Sequence, residues 1–317
     1  MSSLFRLIAS WSAAGGALWE KLAPRCAYTG CIHAHSRWNR MRRRKRGTRM
    51  QGSWYCRSEC LEHILVEILR RERSVLRLEL VQSHRVPLGL LLLSRQQVTA
   101  GQLKTTLDAQ RAAGRGKTGE WLQQLGFVTE PQVTAALARQ WSCPVLRTGV
   151  ETMGAARFTG IPLLLLEAFQ MIPVEFVKST STLLIAFSDG IDYTMLYAVE
   201  QMLGCHTQPC VVSPAALQKG LQTLAQRHTA SDVVFDGVQN GVECGRIIGN
   251  YTANFRAEEV RLARCGDHLW VRLERFRQDA VNLILRAPAH ITARHRFVPS
   301  KPRRPQSKAP ASLADNP

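Results

Sequence analysis

Two stretches decide the fold: Pro87–Gln110, PLGLLLLSRQQVTAGQLKTTLDAQ, and Lys117–Gln140, KTGEWLQQLGFVTEPQVTAALARQ. Each is 24 residues long, and they start 30 residues apart. Gly89 aligns with Gly119, Leu92 with Leu122, Val98-Thr99 with Val128-Thr129, Leu107 with Leu137 and Gln110 with Gln140, while Leu103 is answered by Val133. Self-similarity at a fixed period marks a duplicated supersecondary unit. Thr99 and Thr129 stand as helix N-caps, with Gln102 and Gln132 three residues on to complete capping boxes, and Val98 and Val128 occupy the position before each cap. Pro131 falls in the first helical turn, where its missing N–H costs nothing. Each unit therefore reads as a short helix, a tight corner and a second amphipathic helix.

The chain downstream of the repeats alternates helical and strand-like segments. Pro162–Phe169 reads as a helix, Met171–Val174 and Thr182–Phe187 as strands, and Ser188-Asp189-Gly190 as a turn. Ile191–Leu203 is an amphipathic helix and Thr207–Val212 a strand. Ser213-Pro214 then caps a closing helix, Ala215–Gln226.

From Arg85 to His228, about 140 residues, this order and spacing resemble the N-terminal domain of the secretion and pilus ATPases, the GspE/PulE/PilB family, whose MshE-type version binds cyclic di-GMP. That family's repeat reads Arg-Leu-Gly-x-x-Leu, then Gly, then Leu-x-x-Ala-Leu-x-x-Gln. Leu88, Gly89, Leu92, Leu103, Leu107 and Gln110 fit the first copy; Gly119, Leu122, Gly126, Ala136, Leu137 and Gln140 fit the second. The resemblance implies docking on protein partners of the secretion or pilus machinery. It also implies a cyclic di-GMP site at Leu88, Gly89, Leu92, Gln110, Lys117, Gly119, Leu122 and Gln140. The departures weaken that site. The leading arginine is Pro87 in one copy, which has no side-chain donor, and Lys117 in the other, which offers a point charge rather than a planar fork. Thr118 replaces a leucine and Gln96 a glycine, while Arg85 and Arg115 stand two positions upstream of the two lost arginines. A retained scaffold with a degraded nucleotide site is the preferred expectation.

Nine cysteines, an odd number, suit a disulfide framework poorly. Four are grouped as Cys26-x4-Cys31 and Cys56-x3-Cys60, separated by 24 residues. Gly47 and Gly52 supply turns between the pairs, Trp54–Cys56 reads as a short strand, and Leu61, Ile64, Leu65, Ile68 and Leu69 form a helical stripe after Cys60. A knuckle, a hairpin and a second pair entering a helix resemble a treble-clef-like zinc finger, with a structural zinc on Cys26, Cys31, Cys56 and Cys60. Four protein ligands leave no open position for water, so hydrolytic chemistry is not expected. His33 and His35 are alternative ligands at less convenient spacing. Cys143, Cys205, Cys210, Cys244 and Cys265 read as small core residues.

Between the cysteine pairs lie Arg37, Arg40, Arg42, Arg43, Arg44, Lys45, Arg46 and Arg49, eight cations in 13 residues, with Trp38 inside the run. Three readings stay open: nonspecific nucleic-acid binding, contact with anionic lipid, or a solvated loop that shields a doubly negative tetrathiolate. The formal charge of +18 is uneven: +11 over residues 1–86, +2 over 87–228 and +5 over the remainder. Basicity therefore belongs to the ends, and the repeat region is nearly neutral.

Gly114-Arg115-Gly116-Lys117-Thr118 invites comparison with a phosphate-binding P-loop, but the required leading glycine is Arg111, and a capped helix rather than a strand precedes it. No other such motif occurs, and no catalytic constellation is expected. Leu4, Ile8, Trp11, Leu18 and Leu22 make the first residues an amphipathic segment. Gly241–Phe255 reads as a helix, and Glu258–Arg264 with His268–Glu274 as a hairpin. No apolar run approaches the ~20 residues of a bilayer span.

The expected fold class is thus α+β: an amphipathic segment (1–24), a four-cysteine zinc finger (25–72), a connector (73–86), the repeat and α/β domain (87–228), a helix plus β-hairpin (229–280) and a basic disordered tail (281–317). The expected function is that of a non-enzymatic, cytoplasmic adaptor.

Overall fold

The computed structural model describes residues 24–33, 41–42, 46–75, 85–146, 160–227, 232–275 and 279–286. Residues 1–23 of the expected amphipathic segment, His35, Arg37, Trp38, Arg40, Arg43, Arg44, Lys45, and the tail from Ala287 onward lie outside these residues. In chain order the elements are β1 (Thr48–Met50), β2 (Ser53–Tyr55), α1 (Ser58–Val75), α2 (Leu88–Ser94), α3 (Ala100–Ala113), α4 (Thr118–Gln124), α5 (Glu130–Gln140) and α6 (Leu163–Ala168). There follow β3 (Met171–Val177), β4 (Thr182–Phe187), α7 (Tyr193–Leu203), β5 (His206–Val211), α8 (Pro214–Arg227), β6 (Asp232–Phe235), α9 (Gly241–Phe255), β7 (Glu259–Cys265), β8 (His268–Glu274) and β9 (Ala280–Arg286). The class is α+β. No described helix is long and apolar enough to cross a membrane.

Helices α2 to α5 form two helix pairs with the same local chemistry. Thr99 Oγ1 accepts from the Gln102 N–H at 3.2 Å, and Gln102 Oε1 accepts from the Thr99 N–H at 2.8 Å. Gln132 Oε1 takes the Thr129 N–H at 2.8 Å in the second pair. The corner after the first helix turns through the left-handed region in both: Gly126 has φ +71°, and its counterpart Gln96 has φ +57°. The glutamine keeps the corner and bears the left-handed strain, about 1 kcal/mol, that glycine avoids. Gly89 and Gly119 sit where helices cross. A Cβ on Gly89 would lie 2.6 Å from Leu103, and one on Gly119 would lie 3.1 Å from both Leu88 and Val133. Leu92, Val98, Leu122, Val128, Val133 and Ala136 fill the space between the helices.

The α/β part carries a three-stranded sheet, β3-β4-β5, in which β3 and β4 form an antiparallel hairpin and α7 connects β4 to the parallel β5. Pro173 is tolerated because it sits at a register shift on an edge strand.

The larger sheet joins the two ends of the chain. Its order is β2-β1-β7-β8-β9-β6, with β1 parallel to β7 and β6 parallel to β9. The short hairpin after the cysteine knuckle is therefore extended by strands some two hundred residues away. Thr48 Oγ1 donates to the Ala257 carbonyl at 2.7 Å, and the Arg49 N–H to that of Glu258 at 2.8 Å. Two strands of three residues cannot persist alone, so the hairpin needs this neighbour. Two strands depart from the expectations. Asp232–Phe235, in the stretch expected to hold only a helix and a β-hairpin, is strand β6. Residues 281–286, assigned to a disordered tail, are part of β9: Leu283 and Leu285 face α1 and α9, and Ile284 faces the α/β part. The Pro- and Arg-rich composition that suggested disorder begins only after Arg286.

Helices α1 and α9 cover one face of this sheet, where Leu61, Leu65, Leu69 and Ile248 pack on Val260, Val271, Leu273 and Leu283. On the other face Ala263, Cys265, Trp270 and Ile284 share a core with Met195, Val199 and Met202 of α7. Arg261 Nη1 donates to the Met202 carbonyl at 3.2 Å and Arg272 Nη1 to that of Gly160 at 3.2 Å, locking the two parts together. Trp270 Nε1 donates to Asn282 Oδ1 at 3.1 Å, and Asn282 Nδ2 to Asp232 Oδ1 at 3.0 Å, so the polar groups of this interface are paired.

The α1–α9 crossing depends on glycine. Gly241, Gly245 and Gly249 fall four residues apart along α9. A Cβ on Gly245 would stand 3.0 Å from Val66 Cγ2 and 3.3 Å from the Glu62 carbonyl oxygen, whereas at Gly249 every neighbour is at 3.6 Å or beyond. Gly245→Leu is expected to destabilise by about 1–3 kcal/mol through overpacking. Gly249→Ala is expected to be neutral or to stabilise by up to about 1 kcal/mol, because alanine favours the helix and its methyl fits. Denaturant melts of the two variants check the contrast; equal destabilisation would contradict it.

Candidate functional site

The cysteine cluster is built by three local structures. The knuckle 24–33 is turned by the Cys31 N–H bonding to the Tyr28 carbonyl at 3.1 Å, and it is tied to β2 by the Ala27 N–H bonding to the Trp54 carbonyl at 2.9 Å. Cys56 follows β2, and Cys60 lies in the first turn of α1. The Tyr28 ring stacks on His63 of α1 with centroids 5.0 Å apart. Gly47 serves close approach rather than a turn, since a Cβ there would meet the Trp54 ring at 2.4 Å. Gly52 does turn the chain, at φ +78°.

These constraints bring the Sγ atoms of Cys26, Cys31, Cys56 and Cys60, all buried, within 4.8 Å of one another. The Cys31–Cys56 pair is 3.5 Å apart and Cys56–Cys60 is 3.9 Å. A disulfide would need about 2.0 Å. Four thiolates around one tetrahedral ion, with metal–sulfur bonds of about 2.3 Å, would have edges of about 3.8 Å. The donor set and the spacing fit a metal ion. Burial, with the sulfurs of Cys31 and Cys26 beside it, pushes the Cys56 thiol up to about 12, and burial with neighbouring thiolate charge raises Cys60 as well. Cys31 is lowered: burial opposes this, but the backbone hydrogen bond at His33 and the adjoining thiols outweigh it. Burial raises the cost of charging all four sulfurs together, and a divalent cation held among them would offset it. Among the described residues His33 is not in this cluster.

Of the basic run, the described members Arg42, Arg46 and Arg49 are exposed, with Arg49 pointing away from the core side of β1. Gly114 closes α3 in a left-handed cap at φ +65°, and Lys117-Thr118 opens the seven-residue α4. Helix α3, not a strand, leads into this turn, and the Arg115 carbonyl is held by Trp121 Nε1 at 2.9 Å. This is a helix–turn–helix corner, not a phosphate loop.

The candidate nucleotide residues separate into two groups. Leu88, Lys117, Gly119 and Gln140 line a groove of about 700 Å³ between the helical pairs and the α/β part. Leu92 and Leu122 are fully buried in the helical core, and Gly89 is closed off by Leu103. The two glutamines are pins: Gln110 Nε2 donates to the Gly116 carbonyl at 2.8 Å, and Gln140 Nε2 to that of Val86 at 2.7 Å. Each charged side chain lining the groove is engaged. Lys117 Nζ pairs with Asp189, Glu120 accepts the Lys117 N–H at 3.1 Å, and Asp192 caps α7 by accepting the Met195 N–H at 3.0 Å. One cation against three carboxylates makes the lining net negative.

Sequence reasoning missed Asp189 as the partner of Lys117, because a Ser-Asp-Gly turn carries no sign of what it faces. It also missed Glu130, which accepts from the Ala215 N–H at the start of α8 at 3.2 Å. Arg85, expected only as a substitute for a lost arginine, has its guanidinium 3.2 Å from the Trp141 ring centroid.

Titration of the reduced protein with Co²⁺ is expected to give the intense visible bands of tetrahedral sulfur ligation at one ion per chain. Cys56→Ser is expected to lose or shift them and to weaken metal binding by at least an order of magnitude. Unchanged spectra in the variant would remove Cys56 from the ligand set.

Solved structures offer partial likenesses. The structure of MshE with cdg is similar at 27% sequence identity and a TM-score of 0.36, covering 44% of this chain and 99% of that one. The N-terminal domain of XpsE is similar at 20% identity and a TM-score of 0.32, covering 43% of this chain and 91% of that one. A second crystal form of the XpsE domain is similar at 22% identity and a TM-score of 0.26, covering 43% of this chain and 90% of that one. No protein-family model matches the chain, and no curated protein does.

Proposed function

We propose that this chain is a non-enzymatic adaptor in which a structural zinc ion on Cys26, Cys31, Cys56 and Cys60 fixes one end of the six-stranded sheet, and the repeat and α/β domain docks on a protein partner. The observation that carries the reading is the convergence of four buried thiols at the junction of the knuckle, β2 and α1. A closed all-thiolate set suits zinc and leaves no position for a reacting water, which supports a structural rather than catalytic metal. Cysteine thiols rather than disulfides among the described residues suit a reducing compartment, and the cytoplasm is the proposed location. The resemblance of the repeats to the secretion and pilus ATPase domain supports a partner from such machinery.

Cyclic di-GMP is the competing ligand, since the MshE structure was solved with cdg. Two phosphates would meet a groove of net negative lining in which Lys117 already faces Asp189. The adaptor reading therefore ranks first.

Three measurements separate the readings. The purified protein is expected to contain one zinc per chain by elemental analysis, and affinity capture from source cells is expected to recover a secretion or pilus component. Calorimetry with cyclic di-GMP is expected to show no heat at high micromolar concentration. Metal-free protein that is fully folded would overturn the zinc staple, and failure to capture such a component would overturn the adaptor role. Binding of nucleic acid that weakens steeply with salt would transfer the function to the basic run instead.

A further inference from the structure

Among the described residues Arg85 is a cation without a counter-charge. Its guanidinium lies 3.2 Å from the Trp141 ring centroid and 5.7 Å from that of Tyr193. Of the two carboxylates in the chain leading into α7, Asp189 pairs with Lys117 and Asp192 accepts the Met195 N–H. Trp141 is fixed from behind, because Gly190 lets the indole approach to where a Cβ would be 3.1 Å away. The indole Nε1 is buried and has no acceptor among the described residues. Tyr193 and Tyr197, one turn apart on α7, are 52% and 61% exposed, and Val86 beside Arg85 is 53% exposed.

Tryptophan, tyrosine and arginine are the residues that dominate binding energy at protein interfaces. The tyrosine hydroxyls of this patch can donate or accept, the indole N–H is buried out of reach, and the charged donors are the guanidinium N–H groups of Arg85. What they lack is an acceptor with negative charge.

Resting on the adaptor reading above, we infer that Arg85, Trp141, Tyr193 and Tyr197 form the docking surface for an acidic peptide segment of the partner protein. A carboxylate of that segment takes the open edge of the Arg85 guanidinium, and apolar side chains beside it cover the two tyrosine rings. The carboxylate is specified by the unneutralised cation, and the peptide by the aromatic shelf outside the groove.

The test uses the full chain and a random dodecapeptide phage library. Selected peptides are expected to be rich in Asp and Glu next to apolar residues, and to bind as synthetic peptides with affinity that falls as salt rises. Arg85→Ala and Tyr197→Ala are each expected to weaken such a peptide at least tenfold. Arg111→Ala, which alters an exposed arginine paired with Asp108 on α3, is expected to leave binding unchanged. Trp141→Phe leaves Arg85 a smaller aromatic ring to stack on and is expected to cost a few-fold. Thermal melts of each variant establish that it is folded. Selection of peptides without an acidic bias, recovery of none, or acidic peptides that bind folded Arg85→Ala and Tyr197→Ala as tightly as the native chain would overturn the inference. Retention of a captured secretion or pilus component by these two variants would overturn this surface while leaving the adaptor reading intact. Capture of none by the native chain would defeat the adaptor reading, whatever the peptides do.

Discussion

The parallel pairing of β1 with β7 is the constraint on which the rest of the structure depends. It is short, Arg49 against Glu259 and Met50 against Val260, yet it joins the cysteine knuckle to a sheet formed by the far end of the chain. The buried Thr48 hydroxyl reinforces it through the Ala257 carbonyl. Without this seam the β1–β2 hairpin would be two three-residue strands with no neighbour, and the thiols of Cys56 and Cys60 would lose the platform that aims them at Cys26 and Cys31. A cation bound by the four thiols would reinforce the seam, since each would hold the same hairpin from a different side.

The large sheet then organises everything else through its two faces. One is closed by α1 and α9, which approach so nearly that a methyl group at Gly245 would stand 3.0 Å from Val66. The other face shares a core with α7, and Arg261 and Arg272 add hydrogen bonds to the Met202 and Gly160 carbonyls. Because α7 also carries Tyr193 and Tyr197, the exposed aromatic shelf stands on an element whose opposite side is deeply buried. A binding surface mounted in this way loses little freedom when a partner arrives.

Local chemistry was legible in the sequence and distant chemistry was not. Capping boxes at Thr99/Gln102 and Thr129/Gln132 announce helix starts because the interacting groups lie three residues apart. The cysteine spacing announces convergence because a hairpin is the shortest way to bring two pairs together. Nothing local reveals that β1 pairs with β7, or that Lys117 faces Asp189, since those partners are set by packing. Strand β6 escapes notice because four residues are too few to establish an alternation. Strand β9 is masked by a composition that becomes Pro- and Arg-rich just beyond it. The glycine spacing of α9, at Gly241, Gly245 and Gly249, is present in the sequence and marks a close helix crossing, but it does not say which helix is crossed.

The interlocked sheet also orders events during synthesis. The knuckle and its hairpin leave the ribosome early, but β7 follows only after the entire repeat and α/β domain, 209 residues after Thr48 in the case of Ala257. At about 5–20 residues per second that interval is roughly 10–40 s. During it the middle of the molecule can complete its own helices while the first strands wait with an open edge. The central domain is in this sense an insertion within an outer one. The nascent thiols stay without the sheet's cover for that interval, and a metal ion captured early by them would guard them against oxidation until β7 arrives.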